Sequence, residues 1–232
     1  TLRRILEKRL RNKIFLKTLR YKDLATKWYI TPDSQLKYLT SRVDSDLFSF
    51  VEKNVAEGNS VWDIGANCGT FIAACKMSGK NLNVLAVEPD HFLIRVLTSN
   101  LDLYSFKLLN CAVAQHNDIL SLDVAERGRA SNSLSILKGR QDKGGTRYKQ
   151  LVSVVSLDFL ADKFEIPDII KIDIEGAEIM ALLGAAEIIG ARKTQFLIEV
   201  DEVNRTEMRG FFDESKYFVD ELWPDNFHIF PK

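Results

Sequence analysis

The chain has 232 residues, 46% of them apolar and 28% charged, with a formal net charge of zero. A globule of that size buries about 70–75% of the surface its unfolded chain exposes, so it needs no disulfide or metal to hold it together. No apolar run approaches the roughly 18 residues of a membrane-spanning helix, and the N-terminal residues lack a signal-peptide pattern.

The three cysteines, Cys68, Cys75 and Cys111, are odd in number and lack CxxC spacing. They read as small buried residues of a reducing compartment, and the expected location is cytoplasmic. The zero net charge hides a split. Residues 1–43 carry 12 Lys/Arg against 3 Asp/Glu, and the remainder carries 20 against 29. Such a split raises the question of an anionic partner for the N-terminal segment.

In chain order, residues 1–20 place Leu2, Ile5, Leu6, Leu10, Ile14, Phe15 and Leu19 at helical spacing among basic residues. The expectation is a basic helix packed by its apolar stripe. Peripheral contact with anionic lipid or a charged glycan is the sharper alternative. A second helix is expected over 45–55, ended by Gly58. From Ser60 strand-like runs (60–64, 83–88, 106–111, 118–124, 151–157, 168–174, 194–200, 217–222, 226–230) alternate with helix-like ones (70–79, 90–102, 157–164, 177–189, 203–214). Four of the strands are followed by a helix. The fold expected is α/β, a Rossmann-like doubly wound, mostly parallel seven-stranded sheet with a C-terminal antiparallel hairpin across Pro224-Asp225. The expected organisation is a basic helical extension over 1–57 and the main domain over 58–232. Residues 125–150 are polar and rich in Gly, Arg and Lys, and read as a mobile loop able to cover an acceptor.

The chemistry starts in "VWDIGANCGTFIAACK". A short apolar strand ends at Asp63, and Gly65-Ala66-Asn67-Cys68-Gly69 leads into a helix. Glycines after the first strand of a parallel sheet let a ligand approach backbone that a Cβ would block. Glu88 ends the second strand, 25 residues after Asp63. An acid there is placed to accept both hydroxyls of a ribose. The loop lacks the full G-x-G-x-x-G of a pyrophosphate binder, and no GxxxxGK[ST] is present. An acid two residues before the first glycine suits a cation. S-Adenosylmethionine, with its ammonium and sulfonium, therefore fits better than NAD.

"VWDIGANCGTF", "AVEP", "NCAVA", "IIKIDIEGAEIMALLGA" and the closing "NFHIFPK" together resemble the FkbM-type methyltransferases, S-adenosylmethionine-dependent O-methyltransferases of the class I fold. The resemblance covers about residues 58–232. It implies that Asp63, Gly65, Ala66, Asn67 and Gly69 hold the methionine moiety and pass close to the sugar. It implies that Glu88 binds the ribose, that Cys111 and Ala112 border the adenine, and that Asp173 faces the methyl-transfer centre and the cofactor.

Lys171, Asp173 and Glu175 alternate with Ile170, Ile172 and Ile174, so in a strand the charges point to one side. Central parallel strands are usually apolar on both faces, and three charges there must be paired or lie at an open end. Asp173 and Glu175 are read as active-site residues, and Glu178 as a helix-start carboxylate. Relatives in the family often carry a histidine two residues after the glutamate of the fifth strand. Here Asp201 stands there, after Glu199, and is expected to be the catalytic base. A Mg²⁺ site of Asp173, Asp201 and Asn204 is the less favoured rival. His91, His116 and His228 read as structural.

The function expected is O-methylation of a hydroxyl on a small molecule or glycan. The alternatives are a non-catalytic S-adenosylmethionine- or nucleoside-binding interaction domain, and a nucleic-acid methyltransferase. The acidic catalytic half argues against a nucleic-acid partner.

Overall fold

The computed structural model describes residues 2–40, 43–137 and 145–232. The N-terminal helix α1 (Leu2–Arg9) is less than half the expected length. The chain then turns through Asn12, at a left-handed φ of 55°. It continues as an antiparallel hairpin of β1 (Phe15–Tyr21) and β2 (Leu24–Ile30), turning at Lys22 with φ 51°. The helical reading of 15–20 is thus corrected. Its apolar residues also fit a period of two, and pairing with β2 selects the strand. Ile5 is 52% exposed, so the apolar stripe of α1 is not buried at that position. No helix among the described residues is long and apolar enough to cross a membrane.

After α2 (Ser45–Asn54), capped by Asp44, come β3 (Ser60–Ile64), α3 (Thr70–Met77), β4 (Asn83–Val87), α4 (His91–Leu101) and β5 (Lys107–Leu109). Then follow β6 (Ala112–Val113), β7 (Asp118–Ala125), β8 (Ser133–Leu134), β9 (Thr146–Val155) and α5 (Leu157–Phe164). The chain closes with β10 (Ile169–Ile172), α6 (Glu178–Leu183), α7 (Ala186–Ala191), β11 (Gln195–Glu199), α8 (Arg205–Gly210), β12 (Tyr217–Trp223) and β13 (Asn226–Pro231).

The seven-stranded sheet has the order β12-β13-β11-β10-β3-β4-β5. The five strands from β11 to β5 run parallel, and β13 pairs antiparallel with both β11 and β12. The order reverses beside β3, so the carboxyl ends of β3 and β10 form the expected ligand crevice. The runs at 118–124 and 151–157 do not join this sheet. They belong to a second sheet, β6-β9-β7-β8, with its own apolar cluster. Much of the segment read as a loop is ordered within it, because β9 begins at Thr146 and pairs with β7 along its length. Residues 138–144 of that segment lie outside the described residues.

Alternation decides the two faces of the central sheet. Trp62, Ile64, Leu85, Ile170, Ile172, Phe196 and Ile198 pack on one side, against α5 to α8. Val61, Val84, Ala86, Ile169 and Leu197 face the other, in one cluster with Leu19, Trp28, Phe48 and Phe50. Described residues of the N-terminal segment, from Leu19 to Val55, therefore share a core with the sheet. Each fully buried large side chain of these clusters contributes roughly 1.5–3 kcal/mol. The single helix expected over 177–189 is broken at Gly184, where a Cβ would lie 2.7 Å from the Ala114 carbonyl oxygen.

Candidate functional site

Asp63, Lys171 and Leu197 are neighbours in register across β3, β10 and β11 and share a face. At the carboxyl ends of these strands that face turns from apolar to charged. Asp63 is fully buried, and Lys171 Nζ lies 3.3 Å from its Oδ1 and 3.4 Å from Asp173 Oδ2. Of the three charges expected on one side of this strand, Lys171 lies within it, while the strand ends at Ile172 and Asp173 and Glu175 follow in the turn. Lys171 offsets part of the cost of burying Asp63. Burial still pushes the Asp63 carboxyl above its ordinary range, against the pull of Lys171. Asp63 Oδ2 is buried without a hydrogen-bond partner among the described residues.

The glycine loop is built by close approach. Gly65 has φ 81°, and a Cβ there would lie 2.0 Å from the Asp173 carbonyl oxygen. The Gly65 and Ala66 amides donate to the Val87 carbonyl at 2.9 and 3.0 Å. Asn67, in the left-handed region at φ 53°, donates its backbone N–H to Glu88 Oε2 at 2.8 Å. The Asp90 amide donates to Glu88 Oε1 at 2.9 Å. No cation pairs with Glu88 among the described residues. Burial, and then the negative charge of Asp90, raise its carboxyl to about 8.

The N-terminal hairpin secures this loop. Trp28 Nε1 donates to the Cys68 carbonyl at 2.8 Å, and Ser34 Oγ donates to Asn67 Oδ1 at 2.6 Å. Behind Glu88, Arg129 is buried between two acids, with Nε 2.9 Å from Asp33 Oδ2 and a terminal nitrogen 2.8 Å from Asp90 Oδ1.

Asp63, Lys171, Asp173, Asn67, Glu88 and Arg129 line one cavity of about 390 Å³, within the roughly 300–1,000 Å³ typical of small-molecule sites. Of the residues singled out in the sequence, Asp63, Gly65, Ala66, Asn67, Glu88, Cys111, Ala112, Asp173 and Glu175 line it. Gly69 does not. Its φ of 76° starts α3, and a Cβ there would press on Leu97 and Trp28, so its task is packing. Asp201 is corrected as well. It is exposed and absent from the lining, because β11 ends at Glu199 and the chain leaves the sheet in a 3₁₀ turn. Glu199 stands in the cavity wall instead. Asp201 and Asp173 thus do not meet at this cavity, and no cluster of three or more His, Cys, Asp or Glu among the described residues is arranged to hold a metal ion. His228 Nε2, on β13, donates to Gln195 Oε1 on β11 at 2.9 Å. Sequence reasoning missed Arg129, one of several basic residues in a polar run. It also missed Lys37 and Tyr38, which form a wall of the cavity from a segment with no motif.

The donor set suits a cationic ligand that carries a ribose. The orphaned Asp63 oxygen awaits a donor, and Glu88 is an acceptor without a countercharge. Val87, Cys111, Val113, Leu122 and Leu134 line a stretch of the same cavity that is apolar enough for a flat ring.

Residues 63–223 match the methyltransferase FkbM domain. A curated relative, the hexuronic acid methyltransferase AglP of Haloferax volcanii, is 24% identical over 145 residues, 62% of this chain and 56% of that protein. Among solved structures, the FkbM methyltransferase of Methylobacillus flagellatus KT superposes with a TM-score of 0.56 at 18% identity, covering 79% of this chain and 48% of that one. The putative methyltransferase yhhF of Escherichia coli superposes with a TM-score of 0.52 at 10% identity over 93% of this chain and 98% of that one. The last two are likenesses of fold. The chain spans about half the length of AglP and of the Methylobacillus protein. The domain match covers well over half of the sequence and includes Asp63, Glu88 and Asp173, and the chain belongs to the FkbM methyltransferases.

Proposed function

We propose that the chain is an S-adenosylmethionine-dependent O-methyltransferase acting on a hydroxyl of a small molecule or glycan. The observation that carries this reading is the pair of under-satisfied buried acids in one cavity, Asp63 with a free oxygen and Glu88 with no cation. S-Adenosylmethionine, when bound, supplies an electrophilic methyl group on a sulfonium. Asp63 receives the ammonium and is kept in place by Lys171. Glu88 accepts the ribose hydroxyls, oriented by the Asn67 and Asp90 amides. Cys111 and Ala112 flank the adenine, and the loop from Gly65 to Asn67 passes the sugar. Asp173 and Glu175 stand on the acceptor side, where their charges orient the incoming hydroxyl. The activity of AglP on a hexuronic acid supports a glycan acceptor.

Residues 58–232 form the transferase domain in this reading. The segment 1–57 is an integral cap whose Gln35, Lys37 and Tyr38 shape the acceptor side. The test is isothermal titration with S-adenosylhomocysteine. Wild type is expected to bind and NAD to fail. Asp63→Asn should weaken binding about 10- to 100-fold, the equivalent of one charge-assisted hydrogen bond. Absence of S-adenosylhomocysteine binding, or equal binding of NAD, sinks the reading.

A further inference from the structure

We propose that Glu199 is the base that takes the proton of the acceptor hydroxyl. The inference rests on the transferase reading above and assigns a role within the same cavity.

The placement comes from register. Ile172 pairs with Ile198 across β10 and β11, so Asp173 and Glu199 come one residue beyond that pair, at the carboxyl ends of adjacent central strands. Ile198 packs into the cluster on the far side of the sheet. Alternation therefore sends Glu199 to the face that carries Asp63, Lys171 and Asp173, and all four line the cavity. Across the antiparallel pair, Glu199 faces Asn226 on β13, which lines the cavity too.

The other acids of the cavity are already engaged by groups of the protein. Asp63 and Asp173 flank Lys171, Glu88 holds two backbone amides, and Asp44 caps α2 through the Leu47 amide. Glu175 sits in the strained turn at φ 53°. Glu199 accepts no hydrogen bond from the described residues and pairs with none of their cations. The charged groups that act on it are Asp173 just past β10, Lys171 on β10, Glu178 at the start of α6, and Lys37 on the 3₁₀ turn Leu36–Leu39. Glu199 keeps one edge open to solvent; partial desolvation where it lines the cavity, and then the charge of Asp173, push its carboxyl up to about 7. A base works best when it titrates near the working pH, and this one is ionised enough at neutrality to accept a proton.

In the step assigned, the acceptor O–H bond breaks and its proton goes to a Glu199 carboxylate oxygen. The oxygen's electron pair forms the bond to the methyl carbon of the sulfonium donor, and the carbon–sulfur pair stays on sulfur.

The experiment compares wild type, Glu199→Gln, Glu199→Asp and Asp201→Asn in two readouts. One is methyl transfer from S-adenosylmethionine to glucuronic acid across pH. The other is ¹³C NMR titration of glutamate carboxyls in protein saturated with S-adenosylhomocysteine, with Glu199 assigned by its loss in Glu199→Gln. Wild-type kcat should rise through about pH 7 and level off, because the base must be ionised. Glu199→Gln should lower kcat by about 10²–10⁴ and abolish that limb, while S-adenosylhomocysteine affinity stays at the wild-type value. Glu199→Asp should keep the limb, and Asp201→Asn should behave as wild type. The NMR titration needs no acceptor and should place Glu199 well above an ordinary carboxylate. Undiminished kcat in Glu199→Gln, or a Glu199 titration in the ordinary carboxylate range, overturns the assignment and leaves the cofactor site standing. Failure of wild type to bind S-adenosylhomocysteine overturns the transferase reading and this step with it.

Discussion

Two sets of buried charge lie on either side of Pro89, and they are built on opposite principles. On one side Arg129 and Arg147 meet Asp33 and Asp90. Asp33 accepts from both arginines and from the Asn12 amide, and Asp90 accepts from Arg129, from the Asn132 side chain and from the α4 backbone. Burial acts to raise the Asp33 carboxyl, but the hydrogen bonds from Arg147 and Arg129 prevail and hold it below its ordinary range. On the other side Glu88 has amides but no cation, and Asp63 has one oxygen unanswered. Both carboxyls sit above their ordinary ranges. A matched buried charge joins segments, here the N-terminal hairpin, α4 and the second sheet. An unmatched one is costly to the fold and is retained where a ligand completes it.

The comparison is broken most severely at the loop that divides the two sets. In Gly65→Ala the new Cβ would meet the Asp173 carbonyl at 2.0 Å, in a backbone conformation with φ 81°. The obstacle is main chain and has no rotamer to escape into. Loss of the folded protein, or of all S-adenosylhomocysteine binding in whatever folds, is expected by circular dichroism and titration calorimetry. A variant that folds and binds as wild type would remove close approach as the reason for this glycine.

Arg129→Met tests the matched set. It keeps much of the side chain's bulk over Phe92 but leaves Asp33 and Asp90 short of a cation. Breaking one partner from a buried pair costs about 3–5 kcal/mol, and chemical denaturation should show a loss of that size. A change below about 1 kcal/mol, the range of surface pairs, would mean the network is solvated in solution.

Glu88→Gln tests the unmatched set; its amide keeps only one of the two oxygens that the Asn67 and Asp90 amides use, so a stability loss of about 1–3 kcal/mol is expected. Its readout is pH. Ribose hydroxyls donate to the ionised carboxylate, and the free protein holds Glu88 near 8. Wild-type affinity for S-adenosylhomocysteine should therefore rise with pH, by up to about tenfold per unit below 8, and flatten above it. Glu88→Gln should bind more weakly and lose that slope. A wild-type affinity independent of pH between 6 and 9 would place the ribose elsewhere.

Much of the cofactor half of the site was legible because it is local. The acid, glycines and asparagine between Asp63 and Gly69 lie within seven residues. Glu88 follows from where the next strand ends, and the alternation in "IIKI" separates Lys171 from Ile170 and Ile172 within one strand. The acceptor half proposed above was legible only at Asp173 and Glu175, since Gln35, Lys37, Tyr38 and Asn226 reach it from distant parts of the chain.

The sequence by itself determined the strand–helix alternation, the strand ends that carry Asp63 and Glu88, and the sidedness of β10, since each depends on neighbours a few residues away. Only the tertiary structure decided that residues 15–30 pair as a hairpin, that β7 and β9 form a sheet of their own, and that Glu199 rather than Asp201 faces the cavity. Glu199 and Asp201 share the same parity in an extended chain. Which of them reaches the crevice depends on where β11 leaves the sheet, and that point is set by hydrogen bonds to β10 and β13, partners that are far away in sequence.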